Sequence, residues 1–218
     1  MAKPTFEAVQ DYLISLVPAR EAEMQGMEKY AQKTGFPIIG PAAGYVCYQV
    51  ARMAGARSVF EMGSGYGYST AWFSKAVKEN GGGVVHHVVW DEKLSKMAMK
   101  HLTRLGYEGL VQYHVAEAVA TLRSMAGPFD LIFNDIEKEA YPESLPLIKE
   151  KLRRGGVLII DNVLWSGRIF DAKDHDKSTE AIRRFTQEIT ADPEWIVTLN
   201  PVRDGMIIAY KKWGPHGL

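Results

Sequence analysis

The chain has 218 residues, 46% of them hydrophobic and 24% charged, and its 26 Lys and Arg balance 26 Asp and Glu. That composition suits one globular domain with a full core; it excludes a disordered or collagen-like chain, and its neutrality supplies no global field for nucleic acid or an anionic membrane surface. The single cysteine, Cys47, excludes a disulfide framework and a thiolate zinc site, and without a leader-like segment or an apolar run of about 18 residues the expected location is the cytoplasm, away from membranes.

From Thr5 to about Lys33 the pattern is helical. Phe6, Val9, Tyr12, Leu13, Leu16 and Val17 recur at three- and four-residue steps, and Pro18 is placed to open a second helix that stops near Thr34-Gly35. Gly40-Pro41-Ala42-Ala43-Gly44 reads as a breaker before a short helix holding Cys47 as a small buried hydrophobe. Strands then alternate with helices: Ser58–Met62, Val84–Trp90, Val111–Val115, Asp130–Phe133 and Gly156–Ile160, interleaved with helices at Ser69–Glu79, Glu92–Leu105, Ala118–Met125 and Tyr141–Lys151. This alternation predicts a parallel sheet with helices on both faces. Trp195–Leu199 and Met206–Tyr210 are separated by too few residues for a helical crossover and read as an antiparallel hairpin at one edge. The expected fold is a doubly wound α/β sandwich with a mostly parallel seven-stranded sheet. Residues 1–36 form a helical extension on a single domain whose core is 37–218.

Ligands of open α/β sheets bind beyond the carboxyl ends of the strands. Glu61-Met62-Gly63-Ser64-Gly65-Tyr66-Gly67-Tyr68-Ser69 stands where the first strand meets its helix, and its glycine spacing is G-x-G-x-G. That is not the dinucleotide spacing, and Glu61 just before the turn would repel pyrophosphate but attract an ammonium group. A nicotinamide oxidoreductase is therefore disfavoured, whereas the amino-acid moiety of S-adenosylmethionine fits.

After the fourth strand comes Asn134-Asp135-Ile136-Glu137-Lys138, and after the fifth Asp161-Asn162-Val163-Leu164-Trp165. Both segments emerge on the edge that carries the glycine turn. Asp135, Asp161 and Asn162 can offer three oxygen ligands to a hard cation, which would acidify a bound hydroxyl, and Lys138 lies one turn from Asp135, placed to take its proton. The plainer reading makes the aspartates caps and turn formers. Trp165 is a candidate for stacking on an aromatic acceptor. His86 and His87, adjacent in a strand, point to opposite faces and are read as packed side chains. Asp171–Asp176 with His175 reads as a solvated, mobile loop, Trp72, Trp195 and Trp213 as core or edge residues.

From about Pro37 to Tyr210 the sequence resembles the cation-dependent, S-adenosylmethionine-dependent O-methyltransferases, both the catechol and the bacterial caffeoyl-CoA types. Phe129–Lys138 and Gly155–Gly167 carry the likeness most specifically. The resemblance implies a Rossmann-like fold, a homodimer and a divalent cation (magnesium, with manganese or calcium as substitutes) on Asp135, Asp161 and Asn162. It implies that Lys138 is the general base, that Glu61, Gly63, Ser64 and Ser69 hold the methionine end of the cofactor, that Ile39, Gly65 and Asp135 also contact the cofactor, and that Glu117 and Ala118 contact adenine. The acceptor is expected to be a small hydroxylated aromatic with vicinal hydroxyls; a tRNA hydroxyuridine, reached through Lys149, Lys151, Arg153 and Arg154, and a catalytically degenerate binding protein are the alternatives.

Two departures stand out. The family's acidic ribose ligand falls on Val89, with Asp91 the nearest substitute, and Ile207 stands where the catechol enzymes place a carboxylate against the diol. Arg184-Phe185-Thr186 and Asp192-Pro193-Glu194 also differ from the patterns that accompany CoA esters.

Overall fold

A computed structural model describes residues 4–214. Its sheet has seven strands in the order β3-β2-β1-β4-β5-β7-β6, where β1 is Ser58–Met62, β2 Val84–Val89, β3 Val111–Val115, β4 Phe129–Asn134, β5 Leu152–Ile160, β6 Trp195–Asn200 and β7 Met206–Lys211. The pairs among β1 to β5 are parallel, β7 runs antiparallel to β5, and β6 pairs antiparallel with β7. This is the expected Rossmann-like sandwich with its terminal hairpin.

The strands alternate between two cores. Val59, Val85, Leu131, Phe133 and Ile159 face one apolar layer, while Phe60, Val88, Ile132, Leu158 and Ile160 face the other. The first layer is closed by α2 (Ala22–Thr34), α3 (Gly40–Met53), α4 (Tyr68–Glu79) and α5 (Glu92–Arg104), the second by α6 (Ala118–Ser124), α7 (Tyr141–Lys151) and α8 (Lys177–Ala191). The same period of two sends His86 towards Phe60 and Phe129 and His87 towards Tyr113. Cys47, Trp72 and Trp195 are buried as expected, and Trp213 lies exposed over Gly155 of β5.

Several boundaries differ from the sequence reading. The Gly40-Pro41 segment is the first turn of α3 and not a breaker, because a proline there gives up no needed N–H. Pro18 precedes α2 by a full turn; the intervening Arg20 reaches forward to Glu28 through two 2.9 Å bonds. α1 (Phe6–Ser15) forms but buries none of its residues, leaving Phe6, Tyr12 and neighbouring Leu16 exposed. α8 lies in a stretch for which the sequence reading named no helix, although Thr179, Ile182, Phe185 and Ile189 are its buried stripe at helical spacing. The loop before it faces solvent but is tied down: Arg168 Nε bonds Asp174 Oδ2 at 2.7 Å, and Arg183 donates to the carbonyls of Ile169 at 3.1 Å and Asp171 at 2.5 Å.

Candidate active site

Strand order reverses between β1 and β4, whose carboxyl ends are registered with Met62 against Asn134. The Asp135 N–H donates to Met62 O at 3.0 Å, holding the two departing loops side by side. Gly63 has φ 85°, and a Cβ there would stand 2.3 Å from Asp135 O. Only glycine lets the turn after β1 touch the loop after β4.

Glu61 is fully buried beneath that turn. Its Oε2 accepts from Thr70 Oγ1 at 2.5 Å, and Thr70 Oγ1 stands 3.0 Å from His87 Nδ1. Burial drives His87 down to about 3, so the ring is neutral. Thr70 Oγ1 thus bridges the Glu61 carboxyl and the neutral His87 ring. Glu61 Oε1 has no partner, and burial, reinforced by Asp135, pushes the carboxyl up to about 7. An unpartnered buried carboxylate oxygen is costly unless a ligand supplies a donor.

Ser64 knits this region together: its Oγ accepts from Val88 N at 2.9 Å and donates to Glu61 O at 3.3 Å. Ile39, Gly63, Ser64, Gly65, Ser69 and Asp135 line a recess of about 30 Å³. Phe36, Gly63, Gly65 and Asp135 also border a cavity of about 750 Å³, whose other walls are built by Val89, Trp90, Glu117, Ala118, Lys138, Asn162, Trp165 and Arg203. Glu117 and Ala118 thus line the cavity, although both Glu117 oxygens are engaged by the Val119 and Ala120 N–H groups at 2.7 and 2.6 Å. Asp91 does not line the cavity. Its Oδ1 accepts from Lys93 N at 2.7 Å and Leu94 N at 3.0 Å, so this residue, two beyond the end of β2, serves as the N-cap of α5.

The opposite wall gathers the acidic cluster. Lys138 is buried, and its Nζ donates to Asp135 Oδ1 at 2.9 Å, Ile136 O at 3.0 Å and Tyr141 Oη at 2.8 Å. Tyr141 in turn donates to Asp161 O at 2.9 Å. Asp161 is fully buried; Arg203 Nη1 bonds its Oδ2 at 2.8 Å, while Oδ1 has no partner. Burial and the neighbouring Asp135 raise the Asp161 carboxyl to about 7. Asn162, in the left-handed region at φ 61°, donates Nδ2 to Asp204 Oδ2 at 3.2 Å. Trp165 Nε1 is buried without a partner, and the Trp165 ring lies 5.9 Å from Lys138 Nζ.

This donor set suits a hard cation. Asp135, Asp161 and Asn162 each have one polar atom held by a neighbouring side chain, and the remaining oxygen of each makes no side-chain hydrogen bond among the described residues. No group of three or more His, Cys, Asp or Glu suited to a metal occurs among the described residues.

Sequence reasoning missed Arg203, Asp204 and Tyr141. The first two lie in the β6–β7 turn, and because β7 is antiparallel to β5 with Ile160 opposite Ile207, that turn sits at the carboxyl edge of the parallel strands. The hairpin reading already contained that consequence. Ile207 itself is fully buried in the second core and does not face the cavity; Arg203 does. The basic residues proposed to touch tRNA are spoken for: Lys149 and Arg154 pair with Glu194, Lys151 with Glu150 and Arg153 with Asp130.

Residues 23–212 match the O-methyltransferase family model, and the chain belongs to that family. It is similar to the catechol O-methyltransferase of Niastella koreensis, with 28% identity over 97% of this chain and 100% of that protein. It is 34% identical to the catechol O-methyltransferase of Mycobacterium tuberculosis over 63% of this chain and 62% of that one. Among solved structures it resembles the Bacillus cereus O-methyltransferase in complex with SAH, with TM-score 0.85 and 26% identity over 95% of this chain and 100% of that one.

Proposed function

We propose that the protein transfers the methyl group of S-adenosylmethionine to a hydroxyl of a small aromatic acceptor bearing vicinal hydroxyls, with a divalent cation on Asp135, Asp161 and Asn162. The observation that carries this reading is a pair of fully buried carboxylates, Glu61 and Asp161, each with one unpartnered oxygen, at the carboxyl ends of β1 and β5. The likeness to catechol O-methyltransferases and to an SAH complex supports it.

Glu61 offers the acceptor oxygen for the cofactor's ammonium group, with Ser69 and Gly63 beside it and Ala118 on the adenine side of the cavity. Methyl transfer from a sulfonium is an in-line displacement: the acceptor oxygen attacks, the S–CH3 bond breaks, and its electrons stay on sulfur. Catalysis therefore consists of alignment at about 3 Å and of making an oxyanion available. A bound divalent cation lowers the pKa of the acceptor hydroxyl. Lys138 is the residue that takes the hydroxyl proton, on Nζ. In this structure Nζ donates to three acceptors, so it acts as base only as the neutral amine, with one of those bonds given up to the acceptor hydroxyl. Trp165 covers Lys138 and limits water.

The same reading makes the protein a cytoplasmic homodimer. The apolar side chains that α1 leaves exposed support self-association, and among the described residues no helix is long and apolar enough to cross a membrane.

The test is transfer of labelled methyl from S-adenosylmethionine to catechol, to 3,4-dihydroxybenzoate and to bulk tRNA, with magnesium and with chelator. The expected result is label in a small diol with magnesium and loss of that label with chelator. Label confined to tRNA, or full transfer in chelator, overturns the acceptor or the cation assignment.

A further inference from the structure

Arg203 occupies a position where the backbone is left-handed, with φ 53°, a conformation that favours glycine. The turn that carries it is gripped from α1: the Arg203 N–H donates to Gln10 Oε1 at 2.6 Å, and Gln10 Nε2 donates to Pro201 O at 3.1 Å. So held, the side chain reaches Asp161 Oδ2, 2.8 Å from Nη1. The aspartate side chain is 0% exposed and the arginine side chain 34% exposed, so the pair joins a buried anion to a cation at the cavity mouth. Arg203 also borders a second, open cleft of about 660 Å³ that runs under Ile14, Arg20 and Phe36.

The charge balance of the cluster follows. Lys138 bonds Asp135 and Arg203 bonds Asp161, so each of these two carboxylates already has a cationic partner without any ion. A divalent cation on the free oxygen of Asp161 would stand next to a fixed guanidinium bonded to the other oxygen of the same carboxylate. Arginine cannot shed its charge to relieve that repulsion.

We infer that Arg203 is a built-in counter-ion that competes with the divalent cation for Asp161 and keeps the cation affinity of the site low. This rests on the cation reading above and adds a residue that sets its strength. The opposite role is physically distinct: a guanidinium that merely aims Asp161 at the ion would strengthen binding, as outer partners of metal ligands commonly do.

The experiment is Mn2+ titration followed by electron paramagnetic resonance, on the wild-type protein, Arg203→Met, Arg203→Lys and the double variant Arg203→Met/Asp161→Asn. S-adenosylmethionine binding, measured by calorimetry on each preparation, reports whether the site is intact. The expected result is Mn2+ affinity raised by about tenfold or more in Arg203→Met, an intermediate value or none of that gain in Arg203→Lys, and loss of the gain in the double variant. Unchanged or weaker Mn2+ binding by Arg203→Met, with S-adenosylmethionine still bound, overturns the inference while leaving the cation reading in place. Absence of Mn2+ binding in every variant overturns the cation reading and this inference with it. Should Arg203→Met fail to fold, higher Mn2+ affinity in wild type than in Arg203→Gln overturns the inference equally.

Discussion

In the proposed function, Glu61 is the residue on which cofactor recognition turns. With one oxygen tied to Thr70 and the other unpartnered, Glu61→Gln keeps the shape but removes the charge that meets an ammonium group. S-adenosylmethionine affinity should fall by about ten- to a hundredfold, the range for losing a charge-assisted hydrogen bond. The pH dependence has a definite sign. The folded carboxyl holds its proton up to about 7, against 4.5 for its ordinary value. Cofactor affinity in the wild type should therefore weaken as pH falls from 8 to 6, and Glu61→Gln should flatten that slope in calorimetric titrations. The ligand-free fold behaves in the opposite way. The native state binds more protons than the unfolded chain between about 4.5 and 7, so this group's contribution to stability declines as pH rises through that window.

Gly63 and Asp91 test the geometry at the same scale. Gly63→Ala puts a Cβ against the Asp135 carbonyl in a left-handed conformation. It should cost about 3 kcal/mol, of the order seen when backbone strain and a clash combine, read as a lower midpoint in thermal unfolding. Asp91→Ala should behave as the loss of a helix cap, costing about 1 kcal/mol with cofactor affinity nearly unchanged. A large loss of affinity with unchanged stability would return Asp91 to the ribose site. The motif residues were legible in the sequence because their chemistry is local: a glycine turn after a strand, and aspartates at strand ends. Arg203 and Tyr141 were not, since their roles depend on contacts with residues 42 and 20 positions away.

The elements show the same division. Strands and the helices between them were readable from periodicity: six of the seven strands have both boundaries within two residues of where the pattern put them, and β5 begins four residues earlier than expected. The missed α8 carries an amphipathic stripe of Thr179, Ile182, Phe185 and Ile189 among charged residues, directly after the aspartate-rich loop. The β6–β7 turn is the element with most consequence for the site. Asp204 Oδ1 accepts from Ser166 N at 2.5 Å and its Oδ2 from Asn162, while Asn162, Trp165 and Ser166 all have positive φ. Those three residues are held in sparsely populated conformations by their surroundings. Asp204→Ala should release them, lowering kcat by about tenfold while S-adenosylmethionine affinity changes by less than about threefold, since the glycine turn is untouched. Steady-state kinetics beside a binding titration separate the two effects.

For the whole molecule, the doubly wound topology accounts for the location of everything described. Strand order reverses between β1 and β4, which opens a crevice there and places Glu61, Asp135 and Asp161 at the carboxyl ends of three neighbouring strands. The antiparallel hairpin then brings Arg203 and Asp204 to that edge, and α1, which buries nothing of its own, reaches the turn through Gln10. The central claim is that this crevice holds S-adenosylmethionine by its ammonium end at Glu61. Calorimetric titration of S-adenosylmethionine into the wild-type protein and into Glu61→Gln, both at pH 8, tests it most directly. The account predicts one binding event per chain for the wild type and a marked loss for the variant; no binding by the wild type, or equal binding by both, would contradict it.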